Sequence, residues 1–341
     1  MGMTNRIRWI DNVKLLSAFM IVILHVFDNA TSAGMWGYLL GTFGIPLFFI
    51  VNGYLLCNRD FSWEYVVRKV RGLLRFIILW SICIGILQAI VKRESMAIFE
   101  CFSGTLLGSG RLFHLWFLWA LCILWIICFL IQKAFNVETV SAIIRPKLAA
   151  LIVALMTFVF VANCVIYFLH RIEIREIVPP TFRLVPNGGY FFSGMILCKY
   201  KENFELKIKK VKSFTLIEIA LVGWIAVVFM TRMTGMIWAS SYYDFPLIWM
   251  SCVLLFELIK RKSKQEGNVN SRIIDVLAVS TTGIYILHPF VTVVFNKMIG
   301  FCGISISLPV RIIEAFGVMC VCVIATTILS KNRIGKIFVE I

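Results

Sequence analysis

From one end to the other the chain alternates long apolar runs with short charged segments, and this pattern restricts its fold more than any motif does. A hydrocarbon core about 30 Å thick is crossed by roughly 20 helical residues at 1.5 Å each. Runs of that kind, bounded by charge, occur at 13–30, 36–57, 73–91, 113–131, 148–168, 181–198, 213–231, 243–259, 273–295 and 309–329. The expected fold class is therefore an all-α integral membrane protein with about ten transmembrane helices. Of the 341 residues, 60% are hydrophobic and 15% are charged, and the mean hydropathy is +0.90. Soluble domains carry charge on about a quarter of their residues. A single membrane domain over 1–341, with no separate soluble domain, is the expected organisation. The sixth run is the weakest, because Arg183 and Pro186 precede GGYFFSGMIL, so a short, tilted or partly unwound span is expected there.

A net charge of +16 raises the question of nucleic acid, and the location of that charge answers it. With the N-terminus inside, most of the 34 lysines and arginines fall in the inner segments. These include Arg59, Arg68, Lys69 and Arg71, the basic residues from Lys199 to Lys212, and those from Lys260 to Arg272. Such asymmetry orients a membrane protein, so both termini are expected in the cytoplasm and no nucleic acid is expected as a partner. The first run is too long for the apolar part of a signal peptide and is followed at once by further spans. The eleven cysteines, with no C-x-x-C pair, read mostly as small buried hydrophobes. Only Cys101 and Cys302 fall in segments expected outside, where one disulfide could form.

Inside the first run, KLLSAFMIVILH places Lys14 and His25 eleven residues apart. On an α-helix that is 20° past three turns and a rise of ~16 Å, so the two share a face. Asp11 and Asp28 each lie three residues from one of them, within side-chain reach on a helix. Ionisable groups in a span are costly unless they face protein or water, so this stripe marks a candidate site or pathway. Each residue also has an ordinary explanation: Lys14 can snorkel to headgroups, and His25 can bond a neighbouring carbonyl. The spacing yields a polar path holding a titratable ring, and no reaction.

DNVKLLSAFMIVILH resembles the first helix of the acyltransferase 3 family of bacterial membrane acyltransferases, in which a basic residue is followed by ten others and a histidine. GIPLFFIVNGYLL at 44–56 is similar to the family's second helix, with Asn52 where serine is common. VVRKVRGLLRFIILW at 66–80 resembles its basic loop, although the R-x-x-R phase is blurred and Phe76 stands where proline is frequent. HLWFLWAL at 114–121, YFFSGMIL at 190–197 and STTGIYILHP at 280–289 resemble later helices. With no SGNH-type esterase domain in the sequence, a stand-alone form is what the resemblance leads one to expect.

The resemblance implies transfer of an acyl group, often acetyl from acetyl-CoA, to a hydroxyl of an envelope glycan or lipid-linked sugar. The setting would be a multi-pass protein of the bacterial cytoplasmic membrane. It implies His25 as catalytic, Lys14 as its basic partner, and Arg68, Lys69, Arg71 and Arg75 as contacts for the donor phosphates. At ~16 Å from His25, Lys14 is too far to polarise the reacting carbonyl and is expected to meet the CoA arm near the inner face. Acyl-CoA would be a donor substrate, with no tightly bound cofactor. Arginine and lysine are the charge-assisted partners a phosphate needs, and Arg75 lies a turn into an apolar run where topology does not require it.

A histidine titrating near neutrality suits removal of a hydroxyl proton, and Asp28 could orient its ring. His25 lies about twelve residues, or ~18 Å, from the inner edge of its span, where donor and acceptor could meet. His288, beside Pro289, is expected to line the acceptor side, to donate to an oxyanion, or to be a structural histidine where the helix kinks or ends. His114 and His170, at or beyond the outer boundary, carry no assigned role. Arg311 and Glu314 read as a satisfied pair. The histidines are scattered in sequence without metal-ligand spacing, so no metal is expected. A polysaccharide exporter or flippase of similar architecture is the alternative function, and a membrane anchor for a glycan-assembly complex is a third.

Overall fold

The computed structural model describes residues 7–27, 29, 32–93, 96–265 and 272–340. Among these the regular structure is helical. The first half holds α1 (Arg8–Val26), α2 (Ser32–Leu40), α3 (Gly44–Leu56), α4 (Trp63–Lys92), α5 (Ala97–Leu107), α6 (Trp116–Ala134) and α7 (Lys147–His170). The second holds α8 (Ile174–Ile177), α9 (Leu184–Lys199), α10 (Lys201–Lys209), α11 (Ser213–Thr234), α12 (Pro246–Gln265), α13 (Arg272–Val279), α14 (Thr281–Phe301), α15 (Leu308–Leu329) and α16 (Arg333–Val339). Short 3-10 turns join several of them, notably Phe113–Leu115, Pro180–Phe182 and Ala239–Tyr242.

Among the described residues, eight segments are long and apolar enough to cross a membrane: α1, α2 with α3, α4, the 3-10 turn with α6, α7, α11, α14 and α15. The two other expected spans fall short for separate reasons. The run 181–198 becomes α9, only sixteen residues long, because Pro180 starts a 3-10 turn and the helix begins after Arg183. The run 243–259 becomes α12, which is long enough but ends in Lys260, Arg261, Lys262 and Lys264. The outward faces are apolar. On α7, Leu151, Phe158, Val165 and Phe168 are all more than half exposed, as side chains meeting lipid tails rather than water would be.

Helix α9 is held despite its length by close approach to α3. A Cβ on Gly53 would fall 1.7 Å from the Phe191 carbonyl oxygen, and one on Gly194 would fall 2.0 Å from that of Ile50. The two backbones touch, as small residues permit where no hydrophobic drive separates helix from lipid. Arg183 forms a buried ion pair with Asp244 and donates to the Ser240 carbonyl at 2.6 Å, so its charge is satisfied inside the protein. Arg311 donates to Glu314 at 2.6 Å and to Asn296 at 2.7 Å, the satisfied pair the sequence leads one to expect.

Pro289 lies inside its helix, α14 continuing to Phe301, so of the two outcomes open at that position the helix does not end there. Cys101 and Cys302 are not joined. Cys302 is exposed, and Cys101 is buried and donates to Gln88 Oε1 at 3.3 Å.

Candidate active site

Helix packing collects three imidazoles that lie far apart in the chain. His25 stands in the last turn of α1, His114 in the 3-10 turn that opens α6, and His288 in α14 just before Pro289. The rings of His25 and His288 stack at 5.0 Å with 28° between planes, and His114 meets His288 edge-on at 5.7 Å. The scatter seen in sequence is therefore not a scatter in space. No set of three or more His, Cys, Asp or Glu side chains is arranged to hold a metal ion among the described residues.

Each ring has a different environment. His288 is fully buried, and its Nδ1 lies 3.0 Å from the Ile284 carbonyl oxygen, which can only accept. Nδ1 therefore carries the proton of the neutral ring and Nε2 the lone pair. That Nε2 has no hydrogen-bond partner among the described residues. His114 is buried as well, and neither ring nitrogen makes a hydrogen bond of full geometry among the described residues. Its carbonyl oxygen accepts from the Tyr285 hydroxyl, which ties α14 to the start of α6. His25 is half-buried and meets Phe113 edge-on at 5.2 Å. Glycine sets the position of α14: a Cβ on Gly283 would fall 2.0 Å from Thr326 Oγ1, so the helix lies close against α15.

His25 and His114 line a cavity of about 220 Å3 at the end of the bundle where α1 finishes. Its walls include Ile21 and Leu24 of α1, Ile45 of α3, Trp116, Tyr38, Tyr243 and Tyr285. Arg175, Trp238 and Ser240, from the loops around α8 and the 3-10 turn Ala239–Tyr242, close it on that side.

A second, basic pocket of about 430 Å3 lies at the other end of α3. It is lined by Asn52, Leu55 and Leu56 of α3, by Arg59, and by Tyr65, Arg68 and Lys69 of α4, with Trp125 of α6. The Tyr65 hydroxyl and Trp125 Nε1 are buried there without a hydrogen-bond partner among the described residues. Along α3, Ile45 belongs to the histidine cavity and Asn52 to the basic pocket, about 10 Å apart. Phe48 and Phe49 lie between them, and both rings meet Phe117, at 5.9 and 4.7 Å.

The basic residues expected to act together are divided by this arrangement. Arg68 and Lys69 face the basic pocket, whereas Arg71 and Arg75 line a separate apolar groove of about 660 Å3 between α4 and α6. Lys14 is half-buried on α1 and is not part of the basic pocket's lining. Asp28 lies outside the described residues. His170 sits exposed at the end of α7, and no contact joins it to the other three histidines. Sequence reasoning missed His114, Arg59, Tyr65, Trp125 and Arg175. The only advance signal for His114 was its place at the head of HLWFLWAL.

The fold and the imidazole cluster define a multi-helix membrane protein with a polar site enclosed between its helices. The acyltransferase 3 family profile, described as an acyltransferase domain, matches residues 7–331, nearly the whole chain. The chain belongs to that family and is a membrane acyltransferase. Among curated proteins and among solved structures, the chain has no significant match.

Proposed function

We propose that this acyltransferase moves an acyl group, expected to be acetyl, from acyl-CoA to a hydroxyl of a cell-envelope polysaccharide or lipid-linked sugar. The protein would span a bacterial cytoplasmic membrane ten times, with α9 and α12 as the two further crossings and both termini inside. One observation carries the reading: a basic pocket and an imidazole cavity occupy the two ends of α3, about 10 Å apart. The donor's phosphates sit on Arg59, Arg68 and Lys69, with the Tyr65 hydroxyl and Trp125 Nε1 as further donors. Its extended arm passes Phe48 and delivers the thioester carbonyl to the histidines, while the acceptor arrives from the opposite side.

In the cavity the acceptor hydroxyl attacks the thioester carbonyl carbon. A histidine takes the hydroxyl proton as the C–O bond forms, and the C–S bond breaks to release CoA, which regains a proton. His25, which borders the cavity, is the base. The stacked His288, its lone pair on Nε2, supports His25 and can receive its proton. His114 is placed to donate a ring N–H to the carbonyl oxygen as it becomes an oxyanion. Asp28 is retained as the residue that orients His25, three positions further along the chain.

The test uses inside-out membrane vesicles supplied with acyl-labelled acetyl-CoA. Label is expected to move onto envelope glycan and to be lost with His25→Ala at unchanged protein level. Transfer that survives His25→Ala removes His25 from the chemistry. An exporter would instead leave glycan chemistry unchanged and, on deletion, cause acceptor to accumulate on the inner side.

A further inference from the structure

The histidine cavity contains one cation whose role in acyl transfer is unassigned. Arg175 sits in the single turn of α8, and its guanidinium carbon lies 3.9 Å from the centroid of the Trp238 ring. A guanidinium stacked on an indole uses its flat face, which leaves the in-plane N–H fork to bind an oxyanion bidentately. Among the described residues Arg175 makes no hydrogen bond and no ion pair.

The surrounding charges are occupied elsewhere. Arg183, the other arginine of this region, is paired with Asp244 and the Ser240 carbonyl. Glu173 accepts from the Ile237 amide at 2.7 Å and from the Ser241 hydroxyl. Glu176 accepts from the Glu173 amide at 3.2 Å. The loop bearing Arg175 is also anchored, since the Ile174 amide donates to Asn163 Oδ1 of α7 at 2.9 Å. The guanidinium is therefore pre-placed at the cavity wall and is not a mobile surface side chain.

We infer that the acceptor is an anionic sugar, one carrying a carboxylate or phosphate group, and that Arg175, stacked on Trp238, binds that anion while the hydroxyl to be acylated faces His25. This rests on the acyl-transfer reading, with the cavity as the acceptor's side. It narrows the acceptor from envelope glycans in general to uronic-acid-type sugars or sugar phosphates, including lipid-linked ones.

The test compares three probes on the purified full-length protein in detergent: methyl β-D-glucuronide, methyl β-D-glucoside and glucose 6-phosphate, each titrated against intrinsic tryptophan fluorescence. At least one anionic probe is expected to bind about tenfold tighter than the neutral glucoside. Whichever anion binds identifies carboxylate or phosphate as the source. Arg175→Gln should erase the preference, and Arg175→Lys, which keeps the charge, should retain part of it at unchanged melting temperature. Equal binding of neutral and anionic probes, absence of binding by both anions, or a preference that survives Arg175→Gln overturns the inference. Adding acetyl-CoA separates this inference from the reading beneath it. Anion binding through Arg175 with no acyl product sinks acyl transfer and leaves the anion subsite standing. Equal acylation of glucoside and glucuronide does the reverse.

Discussion

Replacing Arg59 or Arg68 by alanine should raise the KM for acyl-CoA while leaving kcat within about twofold. Each guanidinium would contribute a charge-assisted hydrogen bond to a donor phosphate, worth about 1.5–3 kcal/mol where water is excluded. Both side chains are exposed at the pocket rim, so screening places the effect at the lower end. At about 1.4 kcal/mol per decade, this predicts a KM increase of about tenfold for each single variant. A rise in KM at constant kcat marks binding felt equally by ground and transition states, as expected of contacts about 10 Å from the reacting carbon. Arg71→Ala and Arg75→Ala, in the separate groove between α4 and α6, should leave KM within about twofold. The assay is initial-rate acetyl transfer in vesicles over a range of acetyl-CoA concentrations. Raising ionic strength should shrink the difference between wild type and the Arg59 or Arg68 variants. If Arg71→Ala or Arg75→Ala raises KM and Arg59→Ala or Arg68→Ala does not, the donor lies on the other face of α4 and the two-pocket reasoning fails.

Gly53→Ala puts a methyl group 1.7 Å from the Phe191 carbonyl oxygen, so α3 and α9 must separate. A loss of at least 1–3 kcal/mol, typical of overpacking, is expected as a lower melting temperature in detergent, and an unchanged melting temperature would contradict the contact. Asp244→Asn leaves Arg183 buried without its counter-charge and should cost about 3–5 kcal/mol in a denaturation experiment. Burial raises the Glu173 carboxyl above its ordinary value of 4.5. The folded state therefore binds more protons than the unfolded one just above pH 4.5, and stability should fall as pH rises through that window. Glu173→Gln should flatten this slope in a melting-temperature profile; an unaltered slope assigns it to other groups.

Much of the architecture was legible because lipid imposes one strong rule on every crossing segment. The rule weakened where protein replaced lipid as the neighbour. Arg183 ends up paired with Asp244, and Gly53 and Gly194 let a sixteen-residue α9 nest against α3, so neither helix length nor hydropathy describes that segment well. The site was legible only in part. His25 announced itself through the stripe it shares with Lys14, whereas His114 could be recruited only by folding, since nothing near residue 114 points toward residue 288. The division of the basic cluster was half readable. A helical wheel sets Lys69 and Arg71 about 200° apart, on opposite sides of α4. It sets Arg68 and Arg75 only about 20° apart, and what separates those two is depth and the neighbour each meets: the basic pocket for Arg68, and a groove that includes Ile126 for Arg75.

The ring contacts of Phe48 and Phe49 with Phe117 have a bearing on bioenergetics as well as on catalysis. Packed aromatic rings of this sort exclude water, and a dry gap conducts neither ions nor protons. Rings packed in this way insulate the polar chambers on either side from each other. An idle copy of the protein is therefore expected to place no leak through this region on the ion gradient of the bilayer it crosses.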